Sequence, residues 1–584
     1  MTPRAFVRRI PFTEVELTAL IEELRGATSP ADRAVATHLL DFPTVYVVHK
    51  GAGAGKYDVY VGETSDIRSR TVQHLRADIL VREEWSGLVA ASDAQMYVIG
   101  HEHFHKSMTL DVENRLMHWL QGSDAVDHLY NRQFNPQNDY YRRDLLDETF
   151  RDTWRQLRAH DERLFPTEKI VRESALFKAS PFHKLTQQQL AAKAQIHDAI
   201  VDARAARSTG RLILVEGSAG TGKTVLLSSL FYDLFVDDVA DDVTVGRKDL
   251  DARLLVNHDQ QLTVYEQIAR KLGLSSRAHE RVSKPTRFIN GHPVDKEPVD
   301  VVLVDEAHLL WTQGKQSYRG KNMLADLRAR ARVVVAIFDP MQMVATNQYW
   351  EPHQLAALRE SATQVIELDQ QMRMASSEAT YRWIRGLVED RRVDPIPHDP
   401  GYDVVVFDDP HELYAAVRER ATDEGHGLSR LTATFDWKFV EKRRDGGQTW
   451  DVVVDDFRLP WNLQVEYTAT EARHARGLSW AERPRSLEEV GSTFTVQGFD
   501  LDYAGVIIGP SVTYRDGRVV FDPKASANRN ATQRRTLADG STVSIAEELL
   551  RNELNVLLTR GVRGLYLYAV DPALREVLLR AAST

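Results

Sequence analysis

The sequence predicts an α/β protein, a small α+β domain followed by two lobes that are each a parallel sheet packed with helices. Three observations predict the parallel sheets. Residues 211–224, RLILVEGSAGTGKT, run from an apolar strand into a glycine-rich loop, and VLLSSLFYDLF follows at helical spacing. A second apolar run, Val299–Val304, ends in the adjacent carboxylates Asp305 and Glu306. Further short apolar runs, among them RVVVAIFD and DLDYAGVIIG, recur between helical stretches and lack the polar alternation of a sheet with one wet face. Strands buried on both faces and alternating with helices make parallel sheets.

Length and composition set the frame. A chain of 584 residues has room for two to four domains and their cores. Its apolar and charged fractions, 43% and 27%, are those of a globular protein in water. No apolar run reaches the roughly 18 residues of a membrane span, and MTPRAFVRRIPFTEVEL lacks a signal-peptide core. A cytoplasmic protein without a membrane partner is expected. The absence of cysteine excludes disulfides and thiolate zinc sites. A formal charge of −10 provides no global attraction to nucleic acid, so such binding needs local basic surfaces.

Residues 12–40 read as helical with a break at Ser29-Pro30, which makes 1–42 a helical N-terminal segment. Two strand patterns follow, TVYVVHK and YDVYVGE, joined by Gly51–Lys56. That loop is one residue short for a phosphate loop, Tyr57 stands where Ser or Thr belongs, and a strand follows it, so it reads as a hairpin. Beyond it come Tyr60-Val61-Gly62, then Arg70 and His74 four apart on a helix. The amphipathic TLDVENRLMHWLQ carries Glu113, and Asn131 lies in LYNRQFN. The histidines of HEHFH (101–105) lack an obvious further metal ligand and read as solvated or hydrogen-bonded, with a metal site as the alternative. Residues 136–175, charged throughout, read as a solvated helical linker.

Over roughly 43–135 this pattern resembles the GIY-YIG nuclease domain. Tyr46 stands for the first tyrosine, with Thr44-Val45-Tyr46 replacing Gly-Ile-Tyr, and the inter-strand loop is longer than usual. The resemblance implies that Glu113 binds Mg2+ or Mn2+ and that Arg70 pairs with the scissile phosphate. Tyr46 or Tyr60 would orient or deprotonate the attacking water with help from His74, and Asn131 would complete the catalytic set. A free tyrosine has a pKa of about 10, so that base needs the metal or His74 beside it. DNA is favoured over RNA because such domains mostly act on DNA.

Gly217, Ser218, Ala219, Gly220, Thr221, Gly222, Lys223 and Thr224 fit Gly-x-x-x-x-Gly-Lys-Thr without mismatch, in the strand–loop–helix context of a P-loop. The glycines let backbone N–H groups curl around a phosphate, and the helix N-terminus adds a favourable dipole. Lys223 would reach the β- and γ-phosphates of ATP and Thr224 would hold Mg2+. Asp305 would bind the same Mg2+ through water, and Glu306 would position the attacking water. Upstream, Gln189 sits in the first turn of a helix, and RLLVNHDQQL ends a strand near Asn257 and His258. Downstream lie Asp339 to Gln342, Gln371 and Arg373, Gln497-Gly498, Asp500, Asn555, Thr559 and Arg560.

In this order, and with RLTATFDW and Pro460-Trp461-Asn462, residues 180–575 are similar to the Schlafen-group-3-like DNA/RNA helicases of superfamily 1. The resemblance implies two RecA-like lobes, 176–368 and 369–584, with ATP between them. It makes Gln189 an adenine reader, a role for which a polar first helical turn is an equal reading. It makes Gln342 a γ-phosphate sensor, Arg373 and Arg560 arginine fingers, and Gln497 and Gly498 part of the nucleotide site. His308 stands where the family commonly has glutamine, Asp500 where it has glutamate, and Phe338 where superfamily 1 has glycine. Trp437 and Trp461 have base stacking or buried roles open to them. Residues 512–545 read as a hairpin and a polar loop, whose Lys524, Arg529, Arg534 and Arg535 could touch a phosphate backbone.

The expected function is an ATP-dependent nucleic-acid motor coupled to a metal-dependent endonuclease, with a defence role suggested by the fusion alone. The alternative is an ATP-gated sensor whose first domain binds and does not cut. Protein partners and self-association are not readable.

Overall fold

The computed structural model describes the chain except residues 1–3, 77–82, 132–136, 236–249, 276–279, 315–317, 424–426, 444–446 and 584. The boundary expected at 135–136 lies outside the described residues. The chain forms two compact units. The first comprises Met1–Lys184, Ser228–Asp249 and Tyr265–Arg281, and the second Leu185–Leu227, Leu250–Val264 and Val282–Thr584.

In the first unit, β1 (Ala5–Pro11), β2 (Thr44–Gly53), β3 (Lys56–Thr64), β4 (Gln95–His101) and β5 (Val126–Leu129) form one sheet in the order β1-β4-β2-β3-β5. β2 and β3 make the expected hairpin, with Gly53, Ala54 and Gly55 all at positive φ in its turn. Val45 to Val48 of β2 are buried on both faces, which is why this strand is central. One face packs on the helices Glu14–Arg25 and Pro30–Leu40 through Leu17, Leu20, Ile21, Leu24 and Leu39.

Two expectations change here. The stretch read as a helical N-terminal segment begins with β1, which pairs antiparallel with β4 from Ala5↔His101 to Pro11↔Gln95. The stretch read as a solvated linker contains the helix Leu146–His160, whose Leu146, Phe150, Trp154 and Leu157 are buried. Trp154 donates to the Pro166 carbonyl at 2.7 Å, and its ring meets Trp119 edge-on at 4.9 Å. The charges occupy one face of this helix and the apolar stripe the other, so it belongs to the core.

In the second unit, β6 (Arg211–Gly217), β7 (Ala252–Val256), β8 (Val282–Ser283), β9 (Val299–Asp305), β10 (Ala331–Phe338) and β11 (Gln364–Leu368) form a parallel sheet in the order β11-β6-β10-β9-β7-β8. Leu212 to Val215, Val301 to Val304 and Val333 to Phe338 are all buried, as apolar runs without alternation require.

The other strands are β12 (Asp403–Val406), β13 (Arg430–Ala433), β14 (Asp451–Val454), β15 (Phe457–Pro460), β16 (Leu501–Ile508), β17 (Val512–Arg515), β18 (Arg518–Phe521), β19 (Arg535–Thr536), β20 (Thr542–Val543) and β21 (Gly561–Ala569). A second parallel sheet has the order β12-β21-β16-β13, and β14–β15, β17–β18 and β19–β20 are antiparallel pairs. One apolar cluster runs from Leu212 and Val304 through Trp480 to Leu557 and Leu567, so both sheets share a core. The fold is α/β with two parallel-sheet lobes. Among the described residues, no helix is long and apolar enough to cross a membrane.

One basic expectation also changes, and one choice left open for an aromatic residue is decided. Arg535 is buried, donates to Thr312 Oγ1 at 3.0 Å and lies over the Tyr349 ring, so it ties the lobes together and does not face a backbone phosphate. Trp461 is fully buried and plays the core role.

Candidate active sites

The second unit's site is built where β6, β9 and β10 deliver their C-terminal ends side by side. Gly220 and Gly222 have φ of +90° and +72°, a conformation that favours glycine. Side-chain carbons at these two positions would strike Gln371 and Arg373, or Gln189 and Met372. Lys223 lies in the loop's curl, donating to the Gly217 and Ser218 carbonyls at 2.6 and 2.7 Å, with Asp339 at 3.6 Å. Burial lowers its pKa, and the nearby Asp339, Glu306 and Asp305 oppose that shift. Thr221 is buried in the same loop.

β9 ends in Asp305, whose Oδ2 lies 3.4 Å from Thr224 Oγ1 and whose Oδ1 accepts from the Glu306 N–H at 3.0 Å. Glu306 adopts φ +49°, a left-handed turn that a non-glycine residue rarely takes. His308, fully buried, lies 3.5 Å from the Glu306 carboxylate and 3.3 Å from Gln497 Nε2. Gln497 also donates to the Gln342 carbonyl at 3.1 Å.

The arginines come from the second lobe's side of the site. Arg560, 1% exposed, donates to Gln342 Oε1 at 2.8 Å, and Gln342 in turn donates to Asp339 at 2.8 Å. Burial and the neighbouring Arg373 push the Arg560 pKa down to about 10, so it stays a cation at neutral pH. Arg373 pairs with Asp500 at 2.5 Å. Gln371 fixes this segment to the P-loop by donating to the Ala219 carbonyl at 2.8 Å, while the Met372 N–H donates to the Gly220 carbonyl.

Gln189 completes a capping box with Thr186 and donates to the Gly222 carbonyl at 3.2 Å. The first-turn role is thus observed, and the same amide rests on the P-loop.

The first unit gathers a second set. The Tyr46 hydroxyl is 2.5 Å from His74 Nε2, and the Tyr46 and Tyr60 rings are 6.2 Å apart. A side chain at Gly62, directly opposite Tyr46 in the sheet, would collide with the Tyr46 ring. Glycine there leaves the space in which the phenol reaches His74. Burial and Tyr60 hold the Tyr46 phenol well above its ordinary range, with Arg70 opposing and Glu113 adding to the rise. The phenol therefore keeps its proton at neutral pH, with the His74 ring nitrogen beside it.

Glu113 projects from the helix Lys106–Gln121. Burial and the neighbouring Glu63 push its pKa up to about 8, against Lys106 and Arg70. Glu63 itself bonds Lys106 at 2.5 Å and Thr109 at 3.3 Å. Asn131 clasps the β3 backbone instead, accepting from Val61 N at 2.9 Å and donating to Val61 O at 2.7 Å. It holds the strand that carries Tyr60. The HEHFH histidines are hydrogen-bonded: His101 accepts from the His103 N–H, His103 pairs with Thr149, and His105 caps a helix.

A family model described as Schlafen group 3, DNA/RNA helicase domain, matches residues 210–571, more than half of the chain. The chain belongs to this family. An uncharacterized protein of Saccharomyces cerevisiae is 32% identical over 401 residues, 63% of this helicase-family chain and 84% of its relative. Among solved structures, the Pif1 helicase of Candida albicans is similar at 16% identity and TM-score 0.21, over 42% of this chain and 56% of that one. Dbp5 of S. cerevisiae bound to RNA and ADP BeF3 is similar at 10% identity and TM-score 0.25, over 66% of this chain and 90% of that one. This chain spans little more than half of the Pif1 chain.

Several residues of the helicase site have no sequence signal of their own. Gln261 donates to Asp305 Oδ2 at 2.6 Å from a helix 44 residues upstream. In the first unit, Glu63 and Lys106 stand beside Glu113 in the same way. Each is an ordinary polar residue on an element whose position only the folded chain reveals.

Proposed function

We propose that this Schlafen group 3 helicase-family chain is an ATP-driven nucleic-acid motor whose first unit is a GIY-YIG-like, metal-dependent nuclease acting on DNA. One observation carries the motor reading: Asp305, Glu306 and Arg373 lie close enough to the P-loop for their charges to act on Lys223, Arg373 and Glu306 likewise act on Arg560, and Gln342 accepts from Arg560. The donor set fits a nucleoside triphosphate with a divalent cation. The buried ammonium and glycine-lined backbone suit phosphates, and the hydroxyl of Thr224 beside the Asp305 carboxylate suits Mg2+. A bound Mg2+ supplies charge neutralisation at the phosphates. Glu306 holds the water, Gln342 reads the terminal phosphate, and the arginines stabilise charge that develops as the bond breaks. Arg560 reaches Gln342 from the opposite lobe, so closing and opening of the lobes follow the chemistry.

For the first unit, support comes from the Tyr46–His74 contact within the electrostatic reach of Arg70 and Glu113. Tyr46 orients the water and passes a proton toward His74, Arg70 takes the scissile phosphate, and Glu113 with Mg2+ or Mn2+ neutralises charge. Tyr60 walls the pocket beside both rings. A role against foreign DNA rests on the joining of these two units in one chain.

The test uses the full chain on labelled DNA and RNA, single-stranded, forked and duplex, with and without ATP. Lys223→Ala and Asp305→Ala lower nucleic-acid-stimulated ATP hydrolysis by orders of magnitude, whereas Lys223→Ala protein that keeps most activity ends the motor reading. Glu113→Ala and Arg70→Ala abolish cleavage and leave ATP hydrolysis intact. Wild-type protein that hydrolyses ATP and binds DNA yet never cuts is the ATP-gated sensor instead. Glu306→Gln, which binds ATP and stalls, changes the extent or position of cleavage if the motor feeds the nuclease.

A further inference from the structure

We propose that Gln261 is a positioning residue of the cation site, joining the turn Asn257–Gln261 to Asp305. The inference rests on the reading that Asp305 and Thr224 serve Mg2+ with a bound nucleotide. Gln261 is 3% exposed and stands in the first turn of the helix Asp259–Lys271. Its Nε2 donates to Asp305 Oδ2 at 2.6 Å, the same oxygen that Thr224 Oγ1 approaches at 3.4 Å. A hydrogen bond to an ionised, buried carboxylate is among the stronger ones, and it fixes which oxygen faces which way.

The other end of the same amide is different. Among the described residues, Gln261 Oε1 is buried with no hydrogen-bond partner. Such an acceptor is costly to keep in a folded protein and calls for a donor that arrives later. A side-chain carbon at Gly498, from the second lobe, would lie 3.1 Å from this oxygen, so a residue larger than glycine there would crowd it. A water bound to the cation beside Asp305 is a donor of the right kind. Gln261 thus orients the carboxylate with its nitrogen and accepts from that water with its oxygen.

The same turn touches the second lobe. His258 Nδ1 accepts from the Gln261 N–H at 3.4 Å, and His258 Nε2 lies 3.4 Å from the Phe494 carbonyl. A movement of the Asn257–His258 turn therefore reaches the Asp305 carboxylate through one helical turn. Cation binding and the contact between the lobes are linked at this glutamine.

The experiment titrates the full chain with a fluorescent ADP analogue in Mg2+ and in EDTA. In wild type, Mg2+ strengthens binding. Gln261→Met, similar in length and without hydrogen bonds, reduces that Mg2+ effect by roughly tenfold or more, as the loss of a hydrogen bond to a charged group requires. Its affinity in EDTA stays within about twofold of wild type, because the lost bond serves the cation site and not the P-loop. In an Asp305→Asn background, Gln261→Met adds nothing. Should the Met protein fail to fold, Gln261→Asn, which keeps the amide and loses the reach, carries the same expectations. An unchanged Mg2+ effect in the variant overturns the proposal. So does equal weakening in Mg2+ and EDTA, which marks a purely structural residue. Wild-type binding that ignores Mg2+ ends the metal reading itself, and this inference with it.

Discussion

Arg560 offers the sharpest test of how the two lobes act together. Its guanidinium serves three acceptors at once: Val556 O at 3.1 Å and Phe499 O at 3.4 Å in its own lobe, and Gln342 Oε1 at 2.8 Å across the cleft. Arg560→Lys keeps a charge and cannot reproduce that planar fork. Losing one bond from a charged donor costs about 1.5–3 kcal/mol, or roughly tenfold to 150-fold in lobe closure. Losing a finger that stabilises the transition state costs about a thousandfold or more in turnover. The two roles therefore separate by size. Turnover is measured by a coupled ATPase assay with saturating DNA, and binding with a fluorescent ADP analogue, for wild type, Arg560→Lys and Arg560→Ala. The expected result is a fall in kcat of roughly ten- to 150-fold for Lys and of about a thousandfold or more for Ala. Nucleotide affinity of the Lys variant stays within about threefold of wild type. Arg560→Ala protein that retains a tenth or more of wild-type kcat would refute the reasoning.

Other perturbations address other parts of the molecule. Gly62→Ala drives a methyl group into the Tyr46 ring and should cost about 1–3 kcal/mol in the first unit. It should also abolish cleavage with ATP hydrolysis unchanged, and equal cleavage by the variant refutes the crowding argument. Trp154→Ala, at a residue 4% exposed, should lower the stability of the first unit by about 3–5 kcal/mol in a denaturant titration. A loss under about 0.5 kcal/mol would restore the solvated linker. Glu553 is buried, and burial with the nearby Asp436 raises its pKa to about 7, although Asn528 and the Phe435 N–H hydrogen-bond to it. The folded state thus holds a proton that the unfolded chain releases near pH 4.5. This group's contribution to stability is fully present below that pH and falls as pH rises to about 7, by at most about 1.4 kcal/mol per pH unit. Glu553→Gln should flatten that slope in melts between pH 5 and 7.5, and an identical slope in both proteins counts against the assignment.

Much of the second unit was legible because its chemistry is contiguous. Gly217 to Thr224 and Val299 to Glu306 each carry strand, turn and reactive groups in one short stretch, and the strand–helix rhythm around them implies parallel sheets. What connects those stretches was not legible. Gln371 and Gln261 are single amides whose partners sit 152 and 44 residues away. No local pattern marks a residue whose role depends on a distant strand. β1 is not legible because Arg8 and Arg9 interrupt its apolar alternation, and only Ala5, Val7 and Ile10 are buried. The helix Leu146–His160 is hidden for the opposite reason. Its buried stripe was there at helical spacing, but the charged residues between outweighed it in composition. In the first unit, the order of Tyr46, Tyr60, Arg70, His74 and Glu113 was readable. The carboxylate Glu63 that raises the Glu113 pKa and the glycine space under Tyr46 were not.

The placement of β1 has a consequence for the birth of the molecule. β1 finds its sheet partner only when residues 95–101 have been synthesised, and the Ala5 N–H reaches the Asp152 carboxylate across 147 residues. At a synthesis rate of roughly 5–20 residues per second, that interval is on the order of ten seconds. Throughout it β1 has no sheet partner, and unpaired strand edges are sites of mispairing. So β1 waits on residues made much later, and the first unit depends on protection during translation more than a domain made from neighbouring contacts does.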